Sequence, residues 1–564
     1  MIAEIQETTL TKFDWVTDDI RTFLNRGYLS DGISVEQRYR DIANRVEEIT
    51  KQPGIADKIY QYSADNFLSF SSPILSNFGT EKGLPISCNF GVVDDTLHSI
   101  LHGIYEIGML AKNGAGTAKN LSNIRPYGEA YGKDKSGKSE GLLSWVNEYS
   151  SIISKVNQGG MRRGFLTVYC SVEHPEIDWF LNIGANGPVS TPGYSIRNIT
   201  TGVTFPDGWI ESMKAGDVEK RKIYAKVLKR RSEIGFPYLL FEDNCDNQKP
   251  QVYVDKDMKL FTSNICTEVI EYCDTNKEFA CCLMSLNVAK YDEWPEDLVF
   301  IANIILDSVL TEYIEKGKNL PGLEKAVRFA EEHRSIGVGV IGFHTYLQKN
   351  MIPFGSIESY QKNNQIFKQI HDESLYASKW MAEQWGEPTM LQGYGLRNTT
   401  RIAVAPTKST SFIMGAVSPG IEPIKSNAHE KTLSKIQTEY RNPQLKKLLS
   451  EKGYDNRETW KSILENNGSV QHLDFLTDDE RDVFKTFSEV SQRDIIQLAA
   501  QRQKYIDQGQ SINLMIHPET PPRDVSNLIL EAHDLGIKTL YYQYSINAAQ
   551  AFNQELLTCT ACDG

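Results

Sequence analysis

The stretch "TSNICTEV" (262–269) places three reactive side chains at alternating positions. Asn264, Cys266 and Glu268 point the same way if this stretch is a strand or an extended loop. The thiol can exchange a hydrogen atom, the carboxylate can accept a hydroxyl proton, and the amide can orient a second hydroxyl. Together these groups suit chemistry on the sugar of a nucleotide. The same pattern also fits a half-buried strand that carries polar residues by chance.

A Cys-x-x-Cys pair, Cys559 and Cys562, stands among the last residues of the sequence. Terminal residues are usually poorly ordered, so a packed core does not need cysteines there. The pair could be half of a zinc site, a redox dithiol or a chance pair. A zinc site needs two more ligands, and neither a second Cys-x-x-Cys nor a nearby histidine supplies them.

Three further stretches could bind nucleotides or carry electrons. The turn in "APTKSTSF" (405–412) offers amides and hydroxyls to a phosphate, although such turns also serve as plain helix caps. The glycine-rich "NQGGMRRGF" (157–165) and "YGEAYGKDKSGKSEG" (127–141) are typical of surface loops. The adjacent Tyr541 and Tyr542 are typical of cross-strand packing.

The elements that must position these residues alternate between strand and helix patterns. Residues 10 to about 70 predict helices, and Ser34 is the expected N-cap of one of them, with Gln37 as its capping-box partner. From about residue 83, short apolar runs such as "FLTVYC" (165–170) alternate with helix patterns. This alternation indicates α/β units around parallel strands. Residues 430–508 predict mostly polar helices outside the sheet.

Composition excludes several classes of protein. The net charge of −13 argues against a general nucleic-acid binder, which needs a basic stripe. The sequence has no signal pattern and no apolar run of roughly 20 residues, so we expect a cytoplasmic protein without a membrane span. Nine cysteines, an odd count in a long chain of this kind, do not indicate a secreted disulfide framework. Cys170, Cys245 and Cys273 are expected to be packed thiols.

Several motifs in one order resemble the large (α) subunit of class I ribonucleotide reductase over nearly the whole chain. The motifs are "SSPILSNFGTEKGLPISCNF" (71–90), "SNICTEV" (263–269), "ACCLMSLNVA" (280–289), "RSIGVGVIGFH" (334–344), "APTKSTSFIMGAVSPGIEP" (405–423) and "KTLYYQYS" (538–545). The resemblance implies a ten-stranded α/β barrel with a central finger loop. It divides the chain into an N-terminal helical region (1–82), the barrel (83–545) and a flexible redox tail (546–564).

The resemblance also implies the reaction, which is reduction of ribonucleoside diphosphates to 2′-deoxyribonucleoside diphosphates. Cys266 matches the thiyl-radical position that abstracts the ribose 3′-hydrogen, Glu268 the base for the 3′-hydroxyl, and Asn264 the group that holds the 2′-hydroxyl. Cys88 and Cys281 match the pair that supplies two electrons and becomes a disulfide. Cys282 adjoins Cys281, but the spacing to Asn287 favours Cys281. Cys559 and Cys562 match the tail dithiol that reduces this disulfide.

Further matches concern the nucleotide sites. The implied substrate contacts are Ser72, Ser87, Asn264, Thr407, Lys408, Ser409 and Thr410. Lys408 stands where many members carry a neutral or acidic residue, so its role is open. The implied contacts to a deoxynucleoside triphosphate or ATP effector are Asp95, Arg125, Gln158, Arg162 and Arg163. The stretch 157–165 resembles the loop that relays effector identity to the substrate base.

The resemblance implies partners as well. No paired Glu-x-x-His pattern for a metal is present, so the chain is expected to bind no metal and no cofactor of its own. Tyr541 and Tyr542 match the dyad that relays the radical from a metal-containing small (β) subunit. Thioredoxin or glutaredoxin is the implied reductant, and a homodimer is the implied assembly. The N-terminal ATP-binding domain (ATP-cone) of many members is not expected, because only a short leader precedes "FDWVTDDIRTFLNRGYL".

Two alternatives stay open. An adenosylcobalamin-dependent reductase shares the barrel and the cysteines, although the tyrosine pair favours the small-subunit route. A catalytically inactive nucleotide-binding regulatory relative would share the fold, although the intact Asn264, Cys266 and Glu268 argue against it.

Overall fold

The computed structural model describes residues 13–86, 88–158, 162–183, 196, 199–433 and 436–545. No helix within these ranges is both long enough and apolar enough to cross a membrane. Strands and helices alternate through most of the described chain, which confirms the predicted α/β class.

The strands are short, and most of those in the two larger sheets are fully buried. They are β1 Leu68–Phe70, β2 Cys88–Val92, β3 Gly116–Asn120, β4 Ala130–Tyr131, β5 Gly137–Lys138, β6 Asn157–Gln158, β7 Arg162–Arg163, β8 Leu166–Ser171, β9 Ile199–Phe205, β10 Tyr238–Phe241, β11 Phe279–Ala280, β12 Leu283–Asn287, β13 Gly337–Ile341, β14 Ala428–Leu433, β15 Ile436–Arg441, β16 Leu514–Met515, β17 Thr539–Leu540 and β18 Gln543–Tyr544.

The helices pack around these strands. They are α1 Asp18–Leu24, α2 Val35–Thr50, α3 Ile55–Ala64, α4 Ser72–Asn77, α5 Leu97–Lys112, α6 Gly141–Lys155, α7 Ile177–Phe180, α8 Trp209–Ala215, α9 Val218–Ile234, α10 Glu242–Asn247, α11 Gln251–Asp255, α12 Leu298–Gly317, α13 Glu324–His333, α14 Phe343–Lys349, α15 Ile357–Trp385, α16 Lys408–Ile413, α17 Pro443–Glu451, α18 Arg457–Glu465, α19 Asp478–Val483, α20 Gln492–Gln503 and α21 Pro522–Asp534. Two 3₁₀ helices span Val288–Glu293 and Thr389–Leu391.

The first half of the barrel is a seven-stranded sheet in the order β11-β2-β3-β8-β9-β10-β17. Its five middle strands are parallel, and the two edge strands are antiparallel to them. Every residue of β9 is buried, and so is every residue of β8 except its last. Helices cover the outer face of parallel strands and the barrel interior covers the other, so such strands are buried on both faces. β9 is buried in this way although it carries Thr200, Thr201 and Thr204.

The second half of the barrel continues from both edges of the first. β11 leads directly into β12, β12 pairs in parallel with β13, and bridges extend this order through Ile402 and Val404 to Gln510. β17 then pairs with β10 and closes the circle. With β11 and β12 counted as one segment, ten strand segments surround the centre of the molecule, which confirms the predicted ten-stranded α/β barrel.

The N-terminal part of the described chain holds helices α1 to α4, as predicted, and also β1, which pairs with β12 of the barrel. Ser34 caps α2 as expected, because its hydroxyl accepts the amide of Gln37 at 3.1 Å. The predicted capping box is wrong in its second half. The Gln37 side chain donates to Asp41 instead.

Residues 428–484 form a satellite with its own apolar core around Trp460. The predicted polar helices α17 to α20 are present in and beside it. The prediction was wrong at the start of this region, where β14 and β15 form an antiparallel hairpin.

Candidate active site

The loop that carries Asn264, Cys266 and Glu268 makes a tight turn inside the barrel. The Asn264 side-chain oxygen accepts the amide of Val269 at 3.1 Å, and the Ser263 hydroxyl donates to the Val269 carbonyl at 2.8 Å. Thr267 adopts a left-handed backbone with φ +71°. Such a conformation persists in a threonine only where the surroundings fix it. The loop is therefore a rigid turn rather than the simple strand that alternation alone suggested.

Both halves of the barrel hold this turn. Tyr169 on β8 donates its hydroxyl to the Asn264 carbonyl at 2.7 Å. From the opposite half, Ser511 donates to the Cys266 carbonyl and contacts the Glu268 carboxylate at 2.9 Å. Thr539 on β17, the edge strand of the first half, donates to the Thr267 carbonyl at 2.9 Å. A long central loop is thereby fixed at its backbone, so its side chains can be placed with the accuracy that catalysis needs.

A glycine permits this close packing. The amide of Gly509 donates to the Glu268 carbonyl at 2.8 Å. A Cβ at this position would lie 3.1 Å from the Thr267 carbonyl oxygen and 2.9 Å from a methyl of Ile270. Any larger residue would push the turn away from the second half of the barrel.

The three predicted reactive side chains open into one cavity. Asn264, Cys266 and Glu268 are each at most 6% exposed and line the same pocket. The other lining residues are Ser69, Ser71, Pro73, Cys88, Gly116, Ile265, Cys281, Leu283, Met284, Ser285, Ala405, Pro406, Thr407, Lys408, Ser409 and Thr410. A thiol, a carboxylate and an amide thus share one cavity with two more thiols.

Cys88 and Cys281 lie opposite each other at this cavity. β2 and β11 pair antiparallel, and continuing their register by one residue places Cys281 across from Cys88. The Cys281 amide donates to the Cys88 carbonyl at 2.8 Å, and the Asn264 amide group lies 3.6 Å from the Cys88 sulfur. Burial raises the pKa of the Cys281 thiol well above its usual range, and the adjacent Cys88 raises it further. Cys281 is therefore a protonated thiol at neutral pH.

The other described cysteines point elsewhere. The Cys282 sulfur faces the Leu306 carbonyl on α12 at 3.3 Å, away from the cavity. Cys170, Cys245 and Cys273 are buried and are not among the lining residues. The geometry thus agrees with choosing Cys281 over its neighbour. Cys559 and Cys562 lie outside the described residues.

The predicted diphosphate loop forms one wall of the cavity. Thr407, Lys408, Ser409 and Thr410 all line it, at the start of the short helix α16. Ser72 does not line the cavity, since its hydroxyl contacts that of Tyr28 at 3.1 Å, and its neighbour Ser71 lines the wall instead. Ser87 lies outside the described residues.

Some lining residues escaped the sequence interpretation. Ser69 on β1 and Ser285 on β12 face the cavity from paired strands. Their only sequence signal is a serine within an apolar strand, which is too common to indicate a site. Ser71 could have been found, because the motif offers two adjacent serines before a proline.

The tyrosine pair lies where the chain changes its strand partner. β17 pairs with β10, whereas β18 pairs with β16, and Tyr541 and Tyr542 stand between them. Their ring centroids are 4.4 Å apart. Tyr541 is buried in one apolar cluster with Cys266, and Tyr238 packs against both rings at 4.7 and 5.1 Å. The two rings thus form a short line that leads from the loop toward the surface.

The predicted effector residues lie at both ends of the first half-barrel, with Asp95 and Arg125 at the end away from the cavity. Asp95 follows β2, Arg125 follows β3, and their side chains form an ion pair at 2.7 Å. The stretch 127–141 forms the β4–β5 hairpin beside them. Gln158, Arg162 and Arg163 lie on the β6–β7 hairpin, which precedes β8 and so sits at the active-site end. Helix α6 connects the two hairpins.

One group within the described ranges could offer three ligand atoms to a metal ion. It consists of Glu211, His533 and Asp534, far along the chain from the loop residues. The ammonium group of Lys214 already contacts both carboxylates of this group. The group is not part of the cavity described above.

Comparisons with known proteins agree on one family. The sequence profile described as "Ribonucleotide reductase, barrel domain" matches residues 86–218, 210–390 and 388–543. A Frog virus 3 protein named putative ribonucleoside-diphosphate reductase large subunit is 32% identical over 538 residues, which cover 91% of this chain and 93% of that protein. An Invertebrate iridescent virus 3 ribonucleoside-diphosphate reductase large subunit is 30% identical and covers 91% of each chain. Among solved structures, the Actinobacillus ureae class Id ribonucleotide reductase alpha subunit superposes with a TM-score of 0.88 at 46% identity, covering 98% of this chain and all of that one.

Proposed function

This chain belongs to the family of ribonucleotide reductase large subunits, and on that premise we propose a role for each residue of the cavity. The chain is a ribonucleoside-diphosphate reductase large subunit, an oxidoreductase of deoxyribonucleotide synthesis. The observation that supports the residue assignment is the convergence of Asn264, Cys266, Glu268, Cys88 and Cys281 on one cavity.

Cys266 carries the thiyl radical that removes the 3′-hydrogen of the ribose. Glu268 accepts the proton of the 3′-hydroxyl, and Asn264 holds the 2′-hydroxyl, which departs as water. Each group needs a fixed position, because proton transfer requires hydrogen-bond distances to the reacting atoms. The hydrogen bonds from Tyr169, Ser511 and Thr539 supply that fixation.

Cys88 and Cys281 supply the two electrons and two hydrogens of the reduction and end as a disulfide. The balance is one ribonucleotide and two thiols in, one deoxyribonucleotide, one water and one disulfide out. Residues opposite each other on antiparallel strands have Cα atoms roughly 4.5–5.5 Å apart. A disulfide accommodates this spacing without movement of the backbone. The raised pKa of Cys281 keeps its proton available for the departing oxygen.

The diphosphate of the substrate binds to the loop Thr407–Thr410, where Lys408 adds a positive charge that compensates phosphate. Ser71 and Ser285 are further polar groups on the wall of the cavity. Ser72 supports this wall through Tyr28, and Ser87, which precedes Cys88, completes the substrate contacts.

The radical comes from a separate small subunit, since the family is built of large and small subunits. We assign its path to Tyr542, Tyr541 and Cys266 in that order, because Tyr541 packs with Cys266 and Tyr542 is the more exposed ring. The metal that generates the radical belongs to the small subunit.

The small subunit docks on the groove between α9 and α21. This groove has a volume of about 970 Å³, and Gln543 and Ser545, which closely follow Tyr542 in the chain, line it. Leu228, Ile516 and Val525 give it an apolar floor. Its rim carries charges of both signs, from Lys229, Arg523, Glu233 and Glu519. Docking there brings the source of the radical next to the outer tyrosine.

A deoxynucleoside triphosphate or ATP binds as effector near Asp95 and Arg125. Its signal passes along α6 to the hairpin of Gln158, Arg162 and Arg163 at the active-site end. A second copy of the chain packs on the adjoining face of α5. Leu97, Leu101 and Tyr105 are 61%, 51% and 45% exposed there, and such an apolar patch marks an interface.

We divide the chain for these roles into the helical region 1–82, the barrel 83–545 and a redox tail 546–564. Cys559 and Cys562 of the tail reduce the Cys88–Cys281 disulfide after each turnover and are themselves reduced by thioredoxin or glutaredoxin.

The test is a reductase assay with the cognate small subunit, each ribonucleoside diphosphate and each effector in turn. We expect deoxynucleoside diphosphate products whose base preference changes with the effector. Cys266→Ser is the control that should be inactive. Cys273→Ser is the matched control that should keep activity, because Cys273 lies outside the cavity. Turnover without any small subunit but with adenosylcobalamin would establish the cobalamin alternative. Nucleotide binding without turnover would establish the inactive relative.

A further inference from the structure

Lys408 contacts two functional regions at once. It lines the catalytic cavity through the loop Thr407–Thr410, and it also lines an adjoining cavity of about 300 Å³ together with Glu422 and Lys425. Its ammonium nitrogen lies 6.0 Å from the ring centroid of Tyr542 and 5.5 Å from that of Tyr544. A side chain in this position can serve either the substrate diphosphate or the aromatic rings.

A second lysine, Lys425, and a buried carboxylate, Glu422, lie close to Lys408. Lys425 lies 3.8 Å above the ring of Tyr544, which stacks on Tyr542 with the ring planes 19° apart. Glu422 is 6% exposed and lines the adjoining cavity together with both lysines. Asn513 links this carboxylate to the relay, because it donates to Glu422 and accepts the amide of Tyr542 at 3.0 Å. Both lysines are thus part of a network of contacts around Tyr542, the outer tyrosine of the pair.

A cation over an aromatic face is attracted by the π-electrons of the ring. Removing an electron from that ring weakens this attraction and brings a positive charge next to an electron-poor ring. Lys408 in its observed place therefore makes Tyr542 harder to oxidise. A bound diphosphate, with its greater negative charge, attracts the same ammonium group more strongly than a ring does.

We propose that Lys408 alternates between Tyr542 and the substrate diphosphate, so that nucleotide binding withdraws its charge from the tyrosine pair and permits radical transfer. This inference rests on the proposed function, since it takes Tyr542 and Tyr541 as the radical path. It gives Lys408 a role that the sequence left open. The radical then arrives at Cys266 only when a substrate is present to react with it.

The transfer itself is balanced and leaves Lys408 unchanged. Tyr542 gives one electron and its phenolic proton to the one-electron oxidant of the small subunit. Tyr541 then gives one electron and one proton to Tyr542, and the Cys266 thiol does the same to Tyr541. Lys408 keeps its protons throughout and acts only by its position.

The experiment uses the complete enzyme with 3-aminotyrosine at position 542, a residue that is oxidised more easily than tyrosine and traps the radical. The rate at which the trapped radical forms is followed by its absorbance and electron paramagnetic resonance, with and without saturating nucleoside diphosphate. With Lys408 present, we expect nucleotide to accelerate trapping about tenfold. In Lys408→Met we expect fast trapping without nucleotide and less than a twofold response to it. Lys408→Arg, which keeps the charge, should restore the response.

Lys425→Met is the matched control, because Lys425 lies over Tyr544 and does not line the catalytic cavity. It should keep most of the nucleotide response. The proposal is overturned if Lys408→Met keeps the full response to nucleotide or if Lys425→Met abolishes this response equally. It is also overturned if the enzyme that retains both lysines shows no response to nucleotide. Complete absence of a trapped radical at position 542, under conditions where the native enzyme reduces nucleotide, would instead refute the assigned radical path. Absence of any nucleotide reduction by the native enzyme would refute the proposed function.

Discussion

Cys88 and Cys281 face each other where the two halves of the barrel join, with the Cys281 amide donating to the Cys88 carbonyl at 2.8 Å. One thiol belongs to the first strand of the first half, and the other stands between β11 and β12, where the second half begins. The antiparallel pairing of β11 with β2 at the edge of the first half therefore creates the pair, at the point where the chain enters the second half.

The first prediction separates Cys281 from its neighbour. Cys281→Ser should lose more than 99% of turnover, because a hydroxyl cannot form the disulfide that completes the reduction (roughly 3 kcal/mol or more of lost transition-state stabilisation). Cys282→Ser is the control and should keep most activity, since its sulfur faces the Leu306 carbonyl rather than the cavity. Steady-state product formation measures both. Equal losses in the two variants would contradict the assignment.

The second prediction concerns Ser511, whose one hydroxyl proton is shared between the Cys266 carbonyl and the Glu268 carboxylate, which lies 2.9 Å from the hydroxyl oxygen. Ser511→Ala should lower kcat by about tenfold or more and change KM little, since a hydrogen bond to a charged group contributes roughly 1.5–3 kcal/mol. Ser511→Thr keeps a hydroxyl and should recover most of the loss. Steady-state kinetics with a saturating effector provide the measurement. A rise in KM alone would show that Ser511 positions the substrate rather than Glu268.

The third prediction tests the radical path. Tyr541→Phe and Tyr542→Phe keep the ring volume, so packing should change little. A structural role would cost only a hydrogen bond, about 0.5–1.5 kcal/mol. A relay role removes nearly all turnover, because phenylalanine cannot give up a proton and an electron at an accessible potential. Binding of substrate, effector and small subunit should stay close to normal.

Tyr238→Phe is the matched control for this pair, because its ring packs against both tyrosines. It should keep most of its activity. An active Tyr541→Phe or Tyr542→Phe enzyme would remove that residue from the path and would reopen the cobalamin alternative.

The fourth prediction concerns the tail. The double variant Cys559→Ser, Cys562→Ser should make about one product per active site with thioredoxin and then stop, because the Cys88–Cys281 disulfide stays oxidised. A small dithiol that diffuses into the cavity should restore part of the turnover. Product per enzyme in a single-turnover assay is the measurement. Normal cycling with thioredoxin would show that the tail is not the shuttle.

The fifth prediction addresses stability and pH. Asp307 is buried against Arg334 at 2.8 Å. Burial alone would raise the pKa of Asp307, but Arg334 and Arg397 outweigh it and hold this pKa below its usual range. A lowered pKa stabilises the fold above the unfolded value of about 3.9, and this contribution is lost as the pH falls through the folded value.

Asp307→Asn should therefore lower the melting temperature clearly at pH 7 and less at about pH 2, well below the unfolded value, where the carboxyl of the folded protein becomes protonated. Breaking a buried pair costs about 3–5 kcal/mol. Glu36→Gln, which breaks the more exposed pair with Arg21, is the control and should cost at most about 1 kcal/mol. Calorimetry at the two pH values measures both. An equal loss at both pH values would contradict the ionic origin.

Local strand and helix patterns predicted the α/β class, and the resemblance to the reductase family implied the ten-stranded barrel. Alternation of Asn264, Cys266 and Glu268 raised the possibility that they converge, and the resemblance assigned their roles. The turn at Thr267 and its hydrogen bonds to Tyr169, Ser511 and Thr539 could not be predicted. These contacts join residues that are distant in the sequence, and a serine or threonine within an apolar strand carries no signal of its partner.

Sequence interpretation meets the same limit at the wall of the cavity that is assigned to the substrate diphosphate. The motif pointed to Ser72, but the hydroxyl that lines the cavity belongs to Ser71. Which of two adjacent serines faces a cavity depends on where β1 ends and α4 begins, and element boundaries are the least certain part of a sequence interpretation.

The turn at Cys266 lies between the two halves of the barrel, and each half holds it by hydrogen bonds to its backbone. The position of this turn therefore depends on the distance between the two halves of the barrel. A substitution far from the cavity that lets the halves separate slightly would displace the radical-bearing sulfur before any strand unfolds. Activity of this protein should consequently fall on heating at a lower temperature than its secondary structure does.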